Sequence, residues 1–192
     1  REKIHPEIKY LLCHNYNYQF PILEGNTSIY HIKLGVPVPE YQDFIKEDMI
    51  LQFSNHSHHV QSIELAKLAK HFKIKTYLGG PISNDYPLLN EIDNKYVFYL
   101  GVRTRDEKIE FLKKSKIHSL LFSIPINNPP LSCFEALSYG NAILTTPNGC
   151  MPTFITPKIG RTITNPDTFY SACQDLCKID QRDCWEKAME NN

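Results

Sequence analysis

The sequence predicts an α/β fold, a doubly wound parallel sheet of Rossmann-like type, and three observations carry that reading. Beyond residue 48, apolar runs without polar alternation are separated by amphipathic stretches of about ten residues, the pattern of parallel strands covered on both faces. Two of the runs end in glycine, at Gly79-Gly80 and at Gly101, where a strand gives way to a loop. Near the C-terminus, Leu131, Phe134, Leu137 and Ser138 share one helical face, Gly140 stops that helix, and Ala142 to Thr145 follows as a short buried strand.

The elements follow in order. Met49 to Phe53 reads as a strand. Gln61 to His71 carries Ile63, Leu65, Ala66, Leu68 and Ala69 on a helical stripe, and Ile74 to Leu78 is the next strand. An Asn-, Asp- and Pro-rich loop leads to a strand at Tyr96 to Leu100, a charged helix at Arg105 to Lys114 and a strand at Ser119 to Ile124. After the 131–139 helix and the Ala142 strand come a strand at Arg161 to Thr164 and helices at Pro166 to Cys177 and Gln181 to Glu190. Trp185 and Tyr170 on these last helices read as core, and Lys113 to Lys116 as a solvated helix end. Residues 1–48 fit less well. "YLLCHNYN" and "SIYHIKLGV" have strand character, and "GVPVPEYQDFIKED" is a proline-containing linker, so we divide the chain into 1–48, a remnant of a preceding domain with its linker, and 49–192, the α/β domain.

Composition bounds the function. At 192 residues and 42% hydrophobic, the chain buries a proper core. Basic and acidic residues both number 21, so no basic field recommends nucleic acid or an anionic membrane, and a bound phosphate must be held locally. No apolar run is long enough to span a bilayer, the first residues are neither signal nor transit peptide, and six scattered cysteines suit a reducing compartment, so we expect a cytoplasmic protein. Arg1 in place of Met suggests an excised fragment. Cys173, Cys177 and Cys184, and the histidines of "SNHSHHV", admit a metal reading, but no second CxxC-type pair and no neighbouring carboxylate supports it; no metal or resident cofactor is expected.

In an open parallel sheet, ligands bind outside the carboxyl ends of the strands, so the strand-to-helix loops are the place to look. Three stand out: Ser54 to His59, dense in short polar groups; Gly79-Gly80-Pro81, whose missing side chains let a ligand near the backbone; and Asn127 to Ser132, which opens the helix carrying Glu135. Leu131 and Ser132 there would offer amides to an anion. A carboxylate one turn on would repel that anion, so Glu135 fits a neutral partner such as the paired hydroxyls of a sugar; the plain alternative is that it complements the helix dipole.

The stretch "CFEALSYGNAILTTPNGCMPTFI" resembles the region around the second glutamate of retaining GT-B glycosyltransferases of the family-4 type, with the pattern E-A-x-x-x-G-x-P-V-I followed by G-G-x-P-E-x-I; Glu135, Ala136, Gly140, Ile143, Gly149, Pro152 and Ile155 occupy those places. "TYLGGP", "YVFYLGVRTRDEKIEFLKKSKIHSLLFSIP", "IGRTITNPDTFYSACQDL" and the linker "HIKLGVPVPEYQDF" extend the resemblance, in unbroken order, from about residue 29 to the end. The resemblance implies the C-terminal, nucleotide-sugar-binding domain of a two-domain enzyme whose N-terminal domain would bind the acceptor. It further implies that Glu135 binds ribose hydroxyls, that the Leu131 and Ser132 backbone approaches the diphosphate, that Gly80 lines the nucleotide crevice and that Phe98 to Val102 lie where the base is held.

The departures are as specific. Asn127 stands where the family has its first glutamate, the one that contacts the donor sugar; His58 falls near the family's diphosphate-clamping lysine, and Asn55 or Ser54 near its arginine; Thr153 replaces a glutamate. An amide cannot stabilise developing positive charge as a carboxylate does, and a histidine is mostly neutral at pH 7. Sequence therefore supports a sugar transfer from a nucleotide diphosphate-sugar to an acceptor hydroxyl, with this chain supplying mainly the donor half. The alternative is a non-catalytic GT-B-like module that binds nucleotide-sugar or a partner.

Overall fold

The computed structural model describes residues 10–13, 28–31 and 36–190. Strands β1 (Tyr10–Cys13) and β2 (Ser28–His31) pair in parallel as a small sheet of their own. The main sheet holds six parallel strands: β3 (Glu47–Phe53), β4 (Thr76–Gly79), β5 (Val97–Gly101), β6 (Ser115–Leu120), β7 (Ala142–Thr145) and β8 (Gly160–Thr162), in the order β5-β4-β3-β6-β7-β8. From β3 the chain moves outward through β4 to β5, returns beside β3 as β6, and moves outward the other way. Right-handed crossovers in opposite directions put helices on both faces, and the reversal lies between β3 and β6.

The helices are α1 (Ser62–Phe72), α2 (Arg105–Lys114), α3 (Leu131–Ser138), α4 (Met151–Phe154), α5 (Phe169–Leu176) and α6 (Gln181–Met189). α2 lies over β3 and β4, where Phe111 meets Phe53 and Tyr77 with ring centroids 6.3 and 5.8 Å apart. On the opposite face α5 joins α1 through Phe169 stacked on Phe72. The two layers close over Ile50, Leu51, Leu78, Ile117 and Leu144, and Phe134 and Phe169 are the largest fully buried side chains. Burial of each such side chain stabilises the fold by about 1.5–3 kcal/mol.

Three expectations are corrected. The strand placed at Ser119 to Ile124 lies four residues earlier, because α2 passes into β6 at Ser115 without a loop: that residue is extended (φ −86°, ψ 144°) and already pairs with β3. Ser115 and His118, ahead of the expected start, are wholly buried despite their polarity, and that polarity hid the first part of the strand. Lys116, read as part of a solvated helix end, is a strand residue ion-paired to Asp48 at 2.7 Å. Tyr170 is not core but 44% exposed, stacked on Phe72 at the surface.

Among the described residues the linker segment 36–46 is fastened to the α/β domain. Phe44 N–H donates to Gln181 Oε1 (3.2 Å), Gln181 Nε2 donates back to Phe44 O (2.9 Å), and Trp185 Nε1 donates to Pro39 O (2.8 Å). Lys46 enters the domain and gives its ammonium protons to Leu112 O, Ser115 O and Asn141 Oδ1 at 3.1, 2.7 and 3.2 Å. No described helix is long and apolar enough to cross a membrane.

Candidate functional site

In open parallel sheets a ligand sits outside the carboxyl ends of the strands where the strand order reverses; here that point lies between β3 and β6, and the loops after these two strands border it. Both loops are locked. Gln61 N–H donates to Leu121 O (2.8 Å), Ser123 N–H to His59 O (3.1 Å) and Ser123 Oγ to His58 O (2.9 Å), while Val60 and Phe122 form an antiparallel bridge. Outward from β3, Ser54 N–H donates to Gly79 O (3.1 Å), His56 N–H to Pro81 O (2.8 Å) and Gly80 N–H to Gly101 O (2.9 Å). Beyond β6, Phe122 N–H donates to Thr146 Oγ1 (2.8 Å) and Cys150 N–H to Ile126 O (2.9 Å). The rim is thus a laced set of loops on rigid strands, the arrangement that holds a site in register.

Two helices begin at this rim, and their first turns differ. α1 has no side-chain cap, but its amides are used internally: Ser62 N–H donates to Val60 O (2.7 Å) and Ile63 N–H to the Tyr86 hydroxyl (3.1 Å), which itself donates to Val60 O (2.9 Å). α3 is also uncapped, because Pro130 at its N-cap has no side-chain acceptor. Cys133 N–H reaches Pro130 O at 2.9 Å, whereas the amides of Leu131 and Ser132 have no acceptor among the described residues. Of the two helix ends flanking the switch point, the one at Leu131 and Ser132 is therefore open to an anion.

One turn into α3, Glu135 Oε2 accepts from Lys108 Nζ on α2 at 2.7 Å. The carboxylate is one-third exposed, flanked by Arg105 of α2 and by Val36 and Pro37 of the linker around a gap of about 20 Å³. One oxygen is thus held by a cation, which fixes the carboxylate and lowers its local charge, and the group keeps lone pairs to accept further hydrogen bonds. Sequence reasoning passed over Lys108 because it counted only as a charge on an amphipathic helix; the signal was its place with Arg105, three residues apart, hence on one helical face.

The other residues singled out by the sequence lie in the loops after β3, β4 and β6. Gly80 has φ +119°, and a Cβ there would lie 2.0 Å from Ser54 O, so its missing side chain makes room for the neighbouring loop. Ser54 Oγ lies 3.4 Å from His56 Nδ1, and Asn55 is exposed. His58 is exposed and its Nε2 faces Asp85 Oδ2 at 3.3 Å, with the ring edge-on to Tyr86. Asn127 is exposed in the loop before α3, and Asn128 beside it is half-buried. His56, grouped by sequence with possible metal ligands, is wholly buried: Nδ1 lies 2.7 Å from Ser62 Oγ and Nε2 3.2 Å from Gly79 O. That network assigns Nε2–H as donor to the carbonyl, and burial pulls the ring down to about 4, so it is neutral and structural. Among the described residues no group of three His, Cys, Asp or Glu could hold a metal, and Cys133, Cys150, Cys173, Cys177 and Cys184 are free thiols.

No protein-family model and no curated protein matches the chain. Solved structures do. The chain is similar to AviGT4, a glycosyltransferase involved in avilamycin A biosynthesis, with a TM-score of 0.67 and 20% identity over 86% of this chain and 54% of that one. It is similar to TarM of S. aureus, solved as a mutant with fondaparinux, α-GlcNAc-glycerol and UDP, at a TM-score of 0.66 and 17% identity over 85% of this chain and 35% of that one. Anabaena HepE, solved with UDP, gives a TM-score of 0.61 and 15% identity over 76% of this chain and 45% of that one. The chain spans about half, or less, of the length of these structures. By fold, this chain is a Rossmann-like α/β domain of the kind found in GT-B glycosyltransferases.

Proposed function

We propose that the protein binds a nucleotide diphosphate-sugar at the carboxyl end of its sheet and serves as the donor-binding, C-terminal half of a glycosyltransferase that moves the sugar to an acceptor hydroxyl. The observation that carries this reading is the pairing, on one helix at the switch point, of open amides at Leu131 and Ser132 with a carboxylate fixed by Lys108 one turn further on. Amides and helix dipole suit the diphosphate, and the free lone pairs of Glu135 suit the ribose hydroxyls. The UDP bound in the TarM and HepE structures supports the same class of ligand. Residues 1–48 belong, in this reading, to the acceptor half and its linker, and retention at the sugar carbon is the outcome that the family-4 resemblance favours.

Calorimetric titration with UDP, GDP and ADP and their sugars tests the site. Binding of one base in preference to the others, weakened roughly 10–100-fold by Glu135→Ala as two charge-assisted hydrogen bonds are lost, is the expected result. Absence of binding by all of them, or equal binding by the variant, would refute it. A second reading, binding without turnover, is favoured by an amide at position 127 and by the engagement of His58 with Asp85. Asn127→Glu with His58→Lys separates the two: increased transfer by a two-domain form supports a weakened enzyme, and no change supports the binding module.

A further inference from the structure

A spacious hollow lies at the opposite, amino-terminal end of the sheet. A groove of about 640 Å³ opens between the end of α1, the outer side of α5 and the entries to β3, β4 and β6. One wall is aromatic: Tyr170 stacks on Phe72 with centroids 5.6 Å apart and 22° between the planes. Ile74, Ile117 and Cys173 continue the apolar lining.

The charged lining is one-sided. Lys73, Lys75, Lys116 and Lys178 border the groove against a single carboxylate, Asp48, and Lys116 already holds that carboxylate at 2.7 Å. Lys178 shares Asp175 at 3.5 Å, while Lys73 and Lys75 have no acidic partner among the described residues, in a chain whose formal net charge is zero. The backbone of Lys73 is fixed as well. It caps α1 in the left-handed conformation (φ 57°), its N–H on Ala69 O and Lys70 O. An apolar wall alone would accept any greasy group, and lysines alone any anion; together they select a planar apolar body that carries concentrated negative charge. The volume lies within the usual range for small-molecule sites.

We propose that this groove is a second ligand site, for a small aromatic phosphate whose ring lies against Phe72 and Tyr170 and whose phosphate is held by Lys73 and Lys75. It does not depend on the reading of the crevice. The test is calorimetric titration of the protein with phenyl phosphate, and with inorganic phosphate and phenol separately. Phenyl phosphate should bind more tightly than either part, the Lys73→Glu/Lys75→Glu double variant should weaken it at least ~tenfold, and Tyr170→Ala should weaken it about 3–10-fold through the lost ring contact. Both sets of side chains are exposed, so circular dichroism should show each variant folded, and Tyr170→Ala stands as an independent arm if the charge reversal perturbs the chain. Unchanged affinity in the lysine variant, phosphate bound as tightly as its phenyl ester, or no binding at ~10 mM ligand would overturn the proposal.

Discussion

At the scale of single residues, the account rests on groups whose surroundings leave them few alternatives. Gly80 is one. Any side chain there meets both a positive φ of +119° and Ser54 O at 2.0 Å, so Gly80→Ala must move one of the loops that form the rim. We expect a loss of about 1–3 kcal/mol in a denaturant melt, with weakened nucleotide binding; an unperturbed melt would show that the rim is more pliable than its hydrogen bonds indicate. Lys108 is another. Its pair with Glu135 is partly exposed and contributes only about 0–1 kcal/mol to stability, but it orients the carboxylate. Lys108→Met should therefore leave the melting curve nearly unchanged and weaken nucleoside diphosphate binding roughly 3–10-fold, so a variant that loses stability but not affinity would contradict the orienting role.

At the scale of elements, β6 is where sequence and structure part most instructively. Continuous apolar runs are easy to follow, and the strands at Met49, Ile74, Tyr96 and Ala142 are found within a few residues of where their patterns place them. β6 reads "SKIHSL" and buries its polar groups. The ring nitrogens of His118, Ser119 Oγ and the side-chain amide of Gln52 in neighbouring β3 have no protein partner among the described residues. Such positions look like loop from sequence because the cost of burying them is visible only once the pairing is known. The same cost predicts behaviour in acid. Burial pulls His118 down to about 3, with the nearby Lys108 charge acting the same way, and His56 to about 4. Below the ordinary histidine value near 6.5 the unfolded chain takes up protons that the folded one refuses, so stability is fully present above about pH 6.5 and is lost as pH falls toward 4 and 3. His118→Leu should flatten that acid slope, by up to about 1.4 kcal/mol per pH unit, and an unchanged slope would mean that the imidazole is not held neutral.

At the scale of the whole molecule, the doubly wound class and the helix-to-strand passage that carries Glu135 were legible, because apolar periodicity and one helix-to-strand motif determine them. The cationic partner of Glu135, the internal use of the α1 amides by Tyr86 and the seating of the linker were not, since each joins residues far apart in the chain. Lys46 shows what such a distant contact contributes. Burial pulls its ammonium down to about 7, against three oxygens that hold its protons, so the folded chain binds fewer protons than the unfolded one above that value. That contribution to stability grows as pH rises from about 7 toward 10.5 and is missing below 7. Lys46→Ala should cost about 1.5–3 kcal/mol near neutral pH by stranding buried oxygens and should remove the alkaline rise; a melt unaffected at either pH would mean that the linker seat carries no stability.

The central claim is that a nucleoside diphosphate sits at the carboxyl end of this sheet, on α3. The most direct measurement is a map of backbone amide NMR shifts during titration with the diphosphate that calorimetry selects. The account predicts that Leu131 and Ser132 move first and furthest, with Glu135 and its neighbours following, and that Lys73 and Lys75 move only at higher ligand concentration. Shifts centred on that groove at low ligand with α3 still, or none at saturating ligand, would contradict it.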